Sequence, residues 1–226
     1  MKIILDRKAC AAIDKGVAGK FEHLSMALKE SGMYVQAVDK SKSIVVDHYI
    51  DKVLLESYTE GEGVTVPHVK FLLNGMDRLY ISRVGALLKL LWTGEGVTLE
   101  KNLYTLDFEW TEVEYSLGSV VFPLPYTGLA LIRKVCGGEL EMHVRESAVE
   151  IRALSENCVT LTAALDTPVG EACMFTLLKY HLDRLPKYAY TTATFSVYRQ
   201  GLVALSLEAL GVITTVTIAT EVVFFS

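Results

Sequence analysis

Runs of β-branched and apolar residues, broken by short polar turns, dominate the chain. Residues 33–47 hold two such runs around a polar turn, and residues 87–110 hold two more, broken at Thr93-Gly94-Glu95-Gly96. Residues 139–165 repeat the pattern, and residues 191–225 supply three runs with breaks at Gln200-Gly201 and near Gly211. Such runs bounded by turn residues predict antiparallel strands. Four windows switch to the helical period: 7–16, 67–77, 127–136 and 175–185. In the second, Val69, Leu72, Leu73 and Met76 fall at i, i+3, i+4 and i+7, as do Leu178, His181, Leu182 and Leu185 in the fourth. That spacing predicts one-faced amphipathic helices. The least patterned stretch, 111–121, is acidic, lies almost at the midpoint and predicts a boundary between domains 1–115 and 116–226.

The halves look alike. Lys29-Glu30-Ser31, Val35 and Ala37 recur as Arg145-Glu146-Ser147, Ile151 and Ala153, always 116 residues later. A helical window precedes each copy and another follows it. The order helix, strands, helix, strands occurs twice, which points to an α+β fold built by internal duplication.

Composition narrows the class. The chain has 226 residues, 51% of them hydrophobic and 22% charged, enough apolar surface to bury a core. The net charge of −5 excludes a uniformly basic nucleic-acid coat, but the charge is unevenly placed. The helical windows with their flanks carry Arg7, Lys8, Lys15, Lys20, Lys70, Arg78, Arg133, Lys134, Lys179, Arg184 and Lys187 against Asp6, Asp14, Asp77 and Asp183, a net of +7. The remainder carries −12. Helices facing one way would form a basic surface on an acidic body, suited to phosphate backbones without reading sequence.

Other chemistry is sparse. Cys10, Cys136, Cys158 and Cys173 form no C-x-x-C pair, and no Cys/His cluster has zinc-ligand spacing, so no metal or cofactor is expected. His23, His48, His68, His143 and His181 lie far apart, and no P-loop, G-x-S-x-G or G-x-G-x-x-G occurs. These features argue against an enzyme. The mean hydropathy of +0.32 raises the question of a membrane span, and the best candidate, 202–225, carries Glu208 and Glu221 and reads as buried strands. The short apolar run at the N-terminus is no signal peptide. An intracellular protein in a reducing compartment is expected.

Residues 32–39 (GMYVQAVD), followed by Ser43-Ile44-Val45-Val46, resemble the G-x-x-L-Q-A-M-D-x-S-x-x-x-L-V segment of DNA sliding clamps of the PCNA (proliferating cell nuclear antigen) type. Glu56-Ser57-Tyr58, residues 64–73 and residues 175–185 resemble the family's acidic-Tyr step, its second helix and its fourth helix. The resemblance covers nearly the whole chain at thin identity. It implies two α+β clamp domains, each with two helices on antiparallel sheet, and three subunits closed into a ring whose lining of about +21 surrounds duplex DNA. The eleven cations above become the DNA-binding residues. It also implies a docking pocket for partner peptides, here Val38, Lys42, Val113, Tyr115, Val222 and Phe224, with DNA polymerase and clamp loader among the partners. Edge strands would join subunits, with 82–92 and 159–168 as edges and Leu88, Leu90, Thr160 and Thr162 as contacts. The chain departs from the family in a shorter connector, in Lys42 for a histidine, and in ending at Val223-Phe224-Phe225-Ser226 without an Ala-Pro step and acidic tail. The resemblance therefore implies a homotrimeric processivity factor. The alternatives are a scaffold subunit that needs a different subunit to close its ring, and a structural oligomer that does not encircle DNA.

Overall fold

A computed structural model describes the chain apart from residues 18–20, 68, 117–118, 136, 155–158, 187–191, 210 and 226. The chain divides into two compact units. The first comprises Met1–Thr111 with Pro186–Tyr188 and Ala209–Thr214, the second Glu112–Leu185 with Ala189–Glu208 and Thr215–Ser226.

The first unit runs β1 (Lys2–Asp6), α1 (Arg7–Gly16), β2 (His23–Lys29), β3 (Gly32–Val38), β4 (Ile44–Asp51), a 3-10 turn (Lys52–Leu54), β5 (Leu55–Thr59), β6 (Gly61–Pro67), β7 (Arg78–Val84), β8 (Leu87–Gly94) and β9 (Val97–Tyr104). Its strands pair in the orders β5-β1-β7-β8-β9 and β4-β3-β2-β6. The second unit runs β10 (Ser119–Pro125), α2 (Tyr126–Val135), β11 (Glu139–Arg145), β12 (Ala148–Leu154), β13 (Val159–Ala164), β14 (Ala172–Leu178), α3 (Lys179–Arg184), β15 (Thr192–Tyr198), β16 (Leu202–Ala209), β17 (Val212–Ala219) and β18 (Val222–Phe225). Its strands pair in the orders β10-β15-β16-β17 and β13-β12-β11-β14-β18.

The hairpins β2–β3 and β11–β12 have all four bounds 116 residues apart, and α1 and α2 both bounds 119 apart. Val35 and Ala37 are buried in one hairpin and Ile151 and Ala153 at the matching places of the other. The orders β4-β3-β2-β6 and β13-β12-β11-β14 correspond strand for strand. Packing follows period 2: in β8 Leu88, Leu90 and Trp92 are buried, and in β14 Cys173, Phe175 and Leu177. Phe122 and Phe195, both fully buried, face each other on paired strands with centroids 5.1 Å apart.

Two helical expectations are corrected. Residues 67–77 are not a helix. Val69 and Phe71 are buried, two residues apart, and Leu72, Leu73 and Met76 are only half-buried. The segment breaks at Asn74-Gly75, where Gly75 adopts φ +76. Its backbone is satisfied from elsewhere. Phe71 N and Leu72 N donate to the two Asp14 carboxylate oxygens at 2.8 and 2.7 Å, and Phe71 O accepts from the Trp92 indole at 2.8 Å. In the window 175–185 the first part is strand β14 and only Lys179–Arg184 is helical. The fold remains α+β, with fewer helices than four among the described residues.

Candidate nucleic-acid interface

The first of the predicted cations lie on α1. Asp6 caps the helix, its carboxylate accepting from Ala9 N at 2.7 Å, and Ala9, Cys10, Ile13 and Gly16 turn inward. Arg7, Lys8 and Lys15 are exposed. Lys8 and Lys15 stand seven residues apart on one face. No acid occupies the first turn, so Arg7 and Lys8 sit where the helix dipole disfavours cations. Helix stability alone does not explain that choice. Asp14 sits beside Lys15 in α1, and its bonds to Phe71 and Leu72 bring the exposed Lys70 alongside this helix. Arg7, Lys8, Lys15, Lys70 and Lys134 have no ion pair among the described residues.

The other predicted cations differ. Arg78 is at the start of β7, and its guanidinium meets Glu56 at 2.8 Å, which raises its pKa. Lys179 pairs with Asp183 one turn later at 3.3 Å, and the Arg184 guanidinium lies over the Tyr180 ring at 5.1 Å. Lys20, Lys187 and the Arg133 side chain lie outside the described residues. On α2, the exposed Lys134 shares its face with Thr127 and Leu131, the latter 46% exposed.

The edge expectation is corrected in the first unit. β8 is flanked by β7 and β9, and Leu88 and Leu90 are 0% exposed, so they are core residues. The outer strand on that side is β9, with β5 at the sheet's other end. Its Val97, Leu99, Lys101 and Leu103 stand opposite Gly94, Trp92, Leu90 and Leu88, on the side where β8 is buried. Yet Val97 and Leu99 are 55% and 46% exposed. In the second unit β13 ends its sheet, pairing among the described residues only with β12, and Thr160 and Thr162 are exposed on it. Val159, Leu161 and Ala163 alternate with them, opposite the buried Ala153, Ile151 and Val149.

The expected docking residues divide between the units. Val38 ends β3, half-buried, and the exposed Lys42 takes φ +57 in a turn organised by Asp39, whose carboxylate accepts from Ile44 N at 2.7 Å. Val113 is half-buried, and the Tyr115 hydroxyl meets that of Thr217 at 2.7 Å while its ring packs on Tyr198. Val222 and Phe224 are built into β18 against β14, where the Arg199 guanidinium lies 4.5 Å from the Phe224 ring and also holds Glu171.

Two glutamines absent from the sequence expectations fasten the connector. Gln36, 2% exposed, donates from Nε2 to Thr111 O at 2.9 Å and to Asp47 at 2.8 Å, and accepts Thr111 N at 2.7 Å. Gln200 accepts Ser116 N at 2.6 Å and donates to Glu114 O. The resemblance to the L-Q-A-M-D segment contained Gln36, but nothing in its polarity marks it as buried.

No group of three or more His, Cys, Asp and Glu side chains is placed to hold a metal among the described residues. Burial pushes the thiols of Cys10 and Cys173 up to about 12, so both stay protonated and unreactive at neutral pH. No helix among the described residues is long and apolar enough to cross a membrane.

Neither a protein-family profile nor a curated protein sequence matches the chain. Among solved structures, the PCNA2–PCNA3 complex from Sulfolobus tokodaii superimposes with a TM-score of 0.75 at 14% identity, over 98% of this chain and 99% of that one. A likeness this complete at so low an identity is one of fold, and the chain has the fold of a PCNA-type clamp subunit in divergent form.

Proposed function

We propose that the chain is a subunit of a sliding clamp, a ring that encircles duplex DNA and tethers replication or repair enzymes to it. The observation that carries this reading is the pair of bare edges, β9 and β13, each with apolar residues on its buried side left exposed. An unpaired edge beside uncovered apolar side chains is an aggregation hazard unless another strand closes it. One such edge in each unit suits head-to-tail joining, and head-to-tail joining that closes makes a ring. Three subunits of two units each form it. The role is structural: the ring holds DNA by topology, and the enzymes it tethers, with polymerase and clamp loader as the expected partners, supply the chemistry. It acts inside the cell.

Retention is the test. At a concentration that populates a species near 75 kDa, the assembly is expected to stay on closed circular duplex and to leave once a single cut linearises it. Equal loss from circle and line would sink the encircling reading.

The cations of α1 guide the duplex rather than grip it. Reversing Arg7, Lys8 and Lys15 to Glu is expected to weaken duplex binding for all sequences alike. The slope of log affinity against log salt should fall by up to about three. Arg78→Glu should change the slope much less, because Glu56 already engages that guanidinium. Fluorescence anisotropy with two unrelated duplexes across salt concentrations measures both.

A further inference from the structure

The chain contains three asparagines, Asn74, Asn102 and Asn157, and only Asn74 is followed by glycine. Asn157 lies outside the described residues. Asn74 is exposed in the irregular segment between β6 and β7, at a turn closed by Met76 N donating to Leu73 O at 3.2 Å. Gly75 takes φ +76 there, a conformation that strains any residue with a side chain. The backbone is anchored on either side of the turn, Leu72 N by Asp14 at 2.7 Å and Asp77 N by Thr93 O at 2.9 Å. Between those anchors the Met76 bond is the only backbone hydrogen bond among the described residues, and Gly75 N donates to none of them.

This arrangement sets a nucleophile beside an electrophile. The Gly75 nitrogen, with no hydrogen bond and no Cβ beside it, is the nearest attacking group to the Asn74 carboxamide carbon. Ring closure needs the turn to open, and a single bond of 3.2 Å opposes that opening. The nitrogen gives its proton to water, a bond forms from N to Cγ, and the Cγ–Nδ2 bond breaks as ammonia leaves. Water then opens the cyclic imide. Opening at the side-chain carbonyl leaves aspartate. Opening at the main-chain carbonyl leaves isoaspartate, whose backbone runs through Cβ and is one atom longer. In sum, water is consumed and ammonia released, with no oxidant, metal or second protein. Asn102 is the contrasting case, since it lies in the paired strand β9, its Nδ2 donates to Glu100 at 3.3 Å, and Leu103 follows it.

The surroundings give the conversion a consequence. Gly94 packs so closely on this turn that a Cβ there would collide with Gly75 O, and Glu95 Oε2 lies 3.9 Å from where a Cβ on Gly75 would stand. An extra backbone atom does not fit against Gly94, and a new carboxylate at position 74 adds to the like charge of Glu95 and Asp77 nearby.

We propose that Asn74-Gly75 is a self-modifying site: the folded chain converts Asn74 to aspartate and isoaspartate, and the conversion loosens this turn from Gly94. Lys70 lies on the same segment, so each event also lowers the charge of a stretch counted among the predicted cations. The chemistry stands apart from the clamp reading.

Peptide mapping tests it. The folded full-length chain is held at 37 °C and pH 7.4 for four weeks, beside a sample unfolded in urea. Trypsin then releases residues 71–78 as one peptide for chromatography and mass spectrometry. The folded chain is expected to yield two separable acid forms of one mass, at least about tenfold faster than Asn102 is converted. The rate should be higher at pH 8 than at pH 6, because the attacking nitrogen must lose a proton, and Asn74→Gln should abolish both products. In the converted protein, hydrogen exchange should quicken at the Met76 and Asp77 amides and stay unchanged in the β2–β3 hairpin. If the folded chain keeps Asn74 intact while the unfolded chain converts, the fold protects the site and the proposal falls, as it does if neither converts. Aspartate alone, without isoaspartate, overturns the ring route. Conversion that leaves exchange at Met76 and Asp77 unchanged overturns the loosening.

Discussion

Between pH 6.5 and 4, the folded state is expected to weaken by about 1.4 kcal/mol per pH unit on account of a single residue, His48. Its ring is 1% exposed in β4, with Nδ1 2.8 Å from the Thr214 hydroxyl. Burial holds its pKa down at about 3, against 6.5 when unfolded. Below pH 6.5 the unfolded chain takes up a proton that the folded chain refuses, so stability drains as pH falls and levels off near pH 3. Above 6.5 both states are neutral and the residue adds no slope. The neighbouring Asp47 works in the opposite sense. Burial raises its pKa, so the folded state accepts that proton sooner than the unfolded one and regains some stability just above the ordinary carboxylate range. Urea unfolding followed by circular dichroism at pH 7, 6, 5 and 4 measures the sum. His48→Gln should flatten the decline between pH 6.5 and 5, where Asp47 contributes least. Parallel curves for the two proteins would refute the assignment.

The second large effect is expected at Asp14. Its two oxygens each accept a backbone amide from the irregular segment that carries Lys70. Hydrogen bonds to a charged acceptor contribute about 1.5–3 kcal/mol each, so losing two in Asp14→Ala should cost about 3–6 kcal/mol, with Asp14→Asn recovering part. The loss should also be local. The amides of Phe71 and Leu72 are expected to exchange much faster with solvent, while those of the β2–β3 hairpin keep their relative order. A uniform acceleration across the first unit would mean that Asp14 supports the unit as a whole rather than this segment.

Much of the architecture could be read from the chain because it is written in local periods. The helix 7–16 and the turn-separated strand runs follow directly from spacing. Where the reading failed, distant residues overruled local ones. Val69, Leu72, Leu73 and Met76 satisfy a helical period, but Asp14 and Trp92, 57 and 21 residues from Phe71, fix the backbone there in another form. The window 175–185 reads as one helix, but its first part belongs to a strand in which Cys173, Phe175 and Leu177 alternate inward. Residues 82–92 read as an edge because they are so apolar, yet a run that apolar marks a strand enclosed by neighbours. The true edge, β9, mixes Thr98, Glu100, Lys101 and Asn102 among its apolar residues, because an edge must stay soluble before it is paired. Of the basic surface, sequence supplied the cations but not which of them face a carboxylate.

The ties made by Gln36 and Gln200 explain how a shape outlives the letters that encode it. Both amides address the connector through its peptide groups, N–H and C=O, which every residue except proline offers alike. The side chains of Thr111, Glu114 and Ser116 are not what is being held, so mutation can rewrite them without loosening the grip. What this tie demands of the sequence is two glutamines at the right spacing, and very little of such a demand would show as identity when two chains are laid side by side.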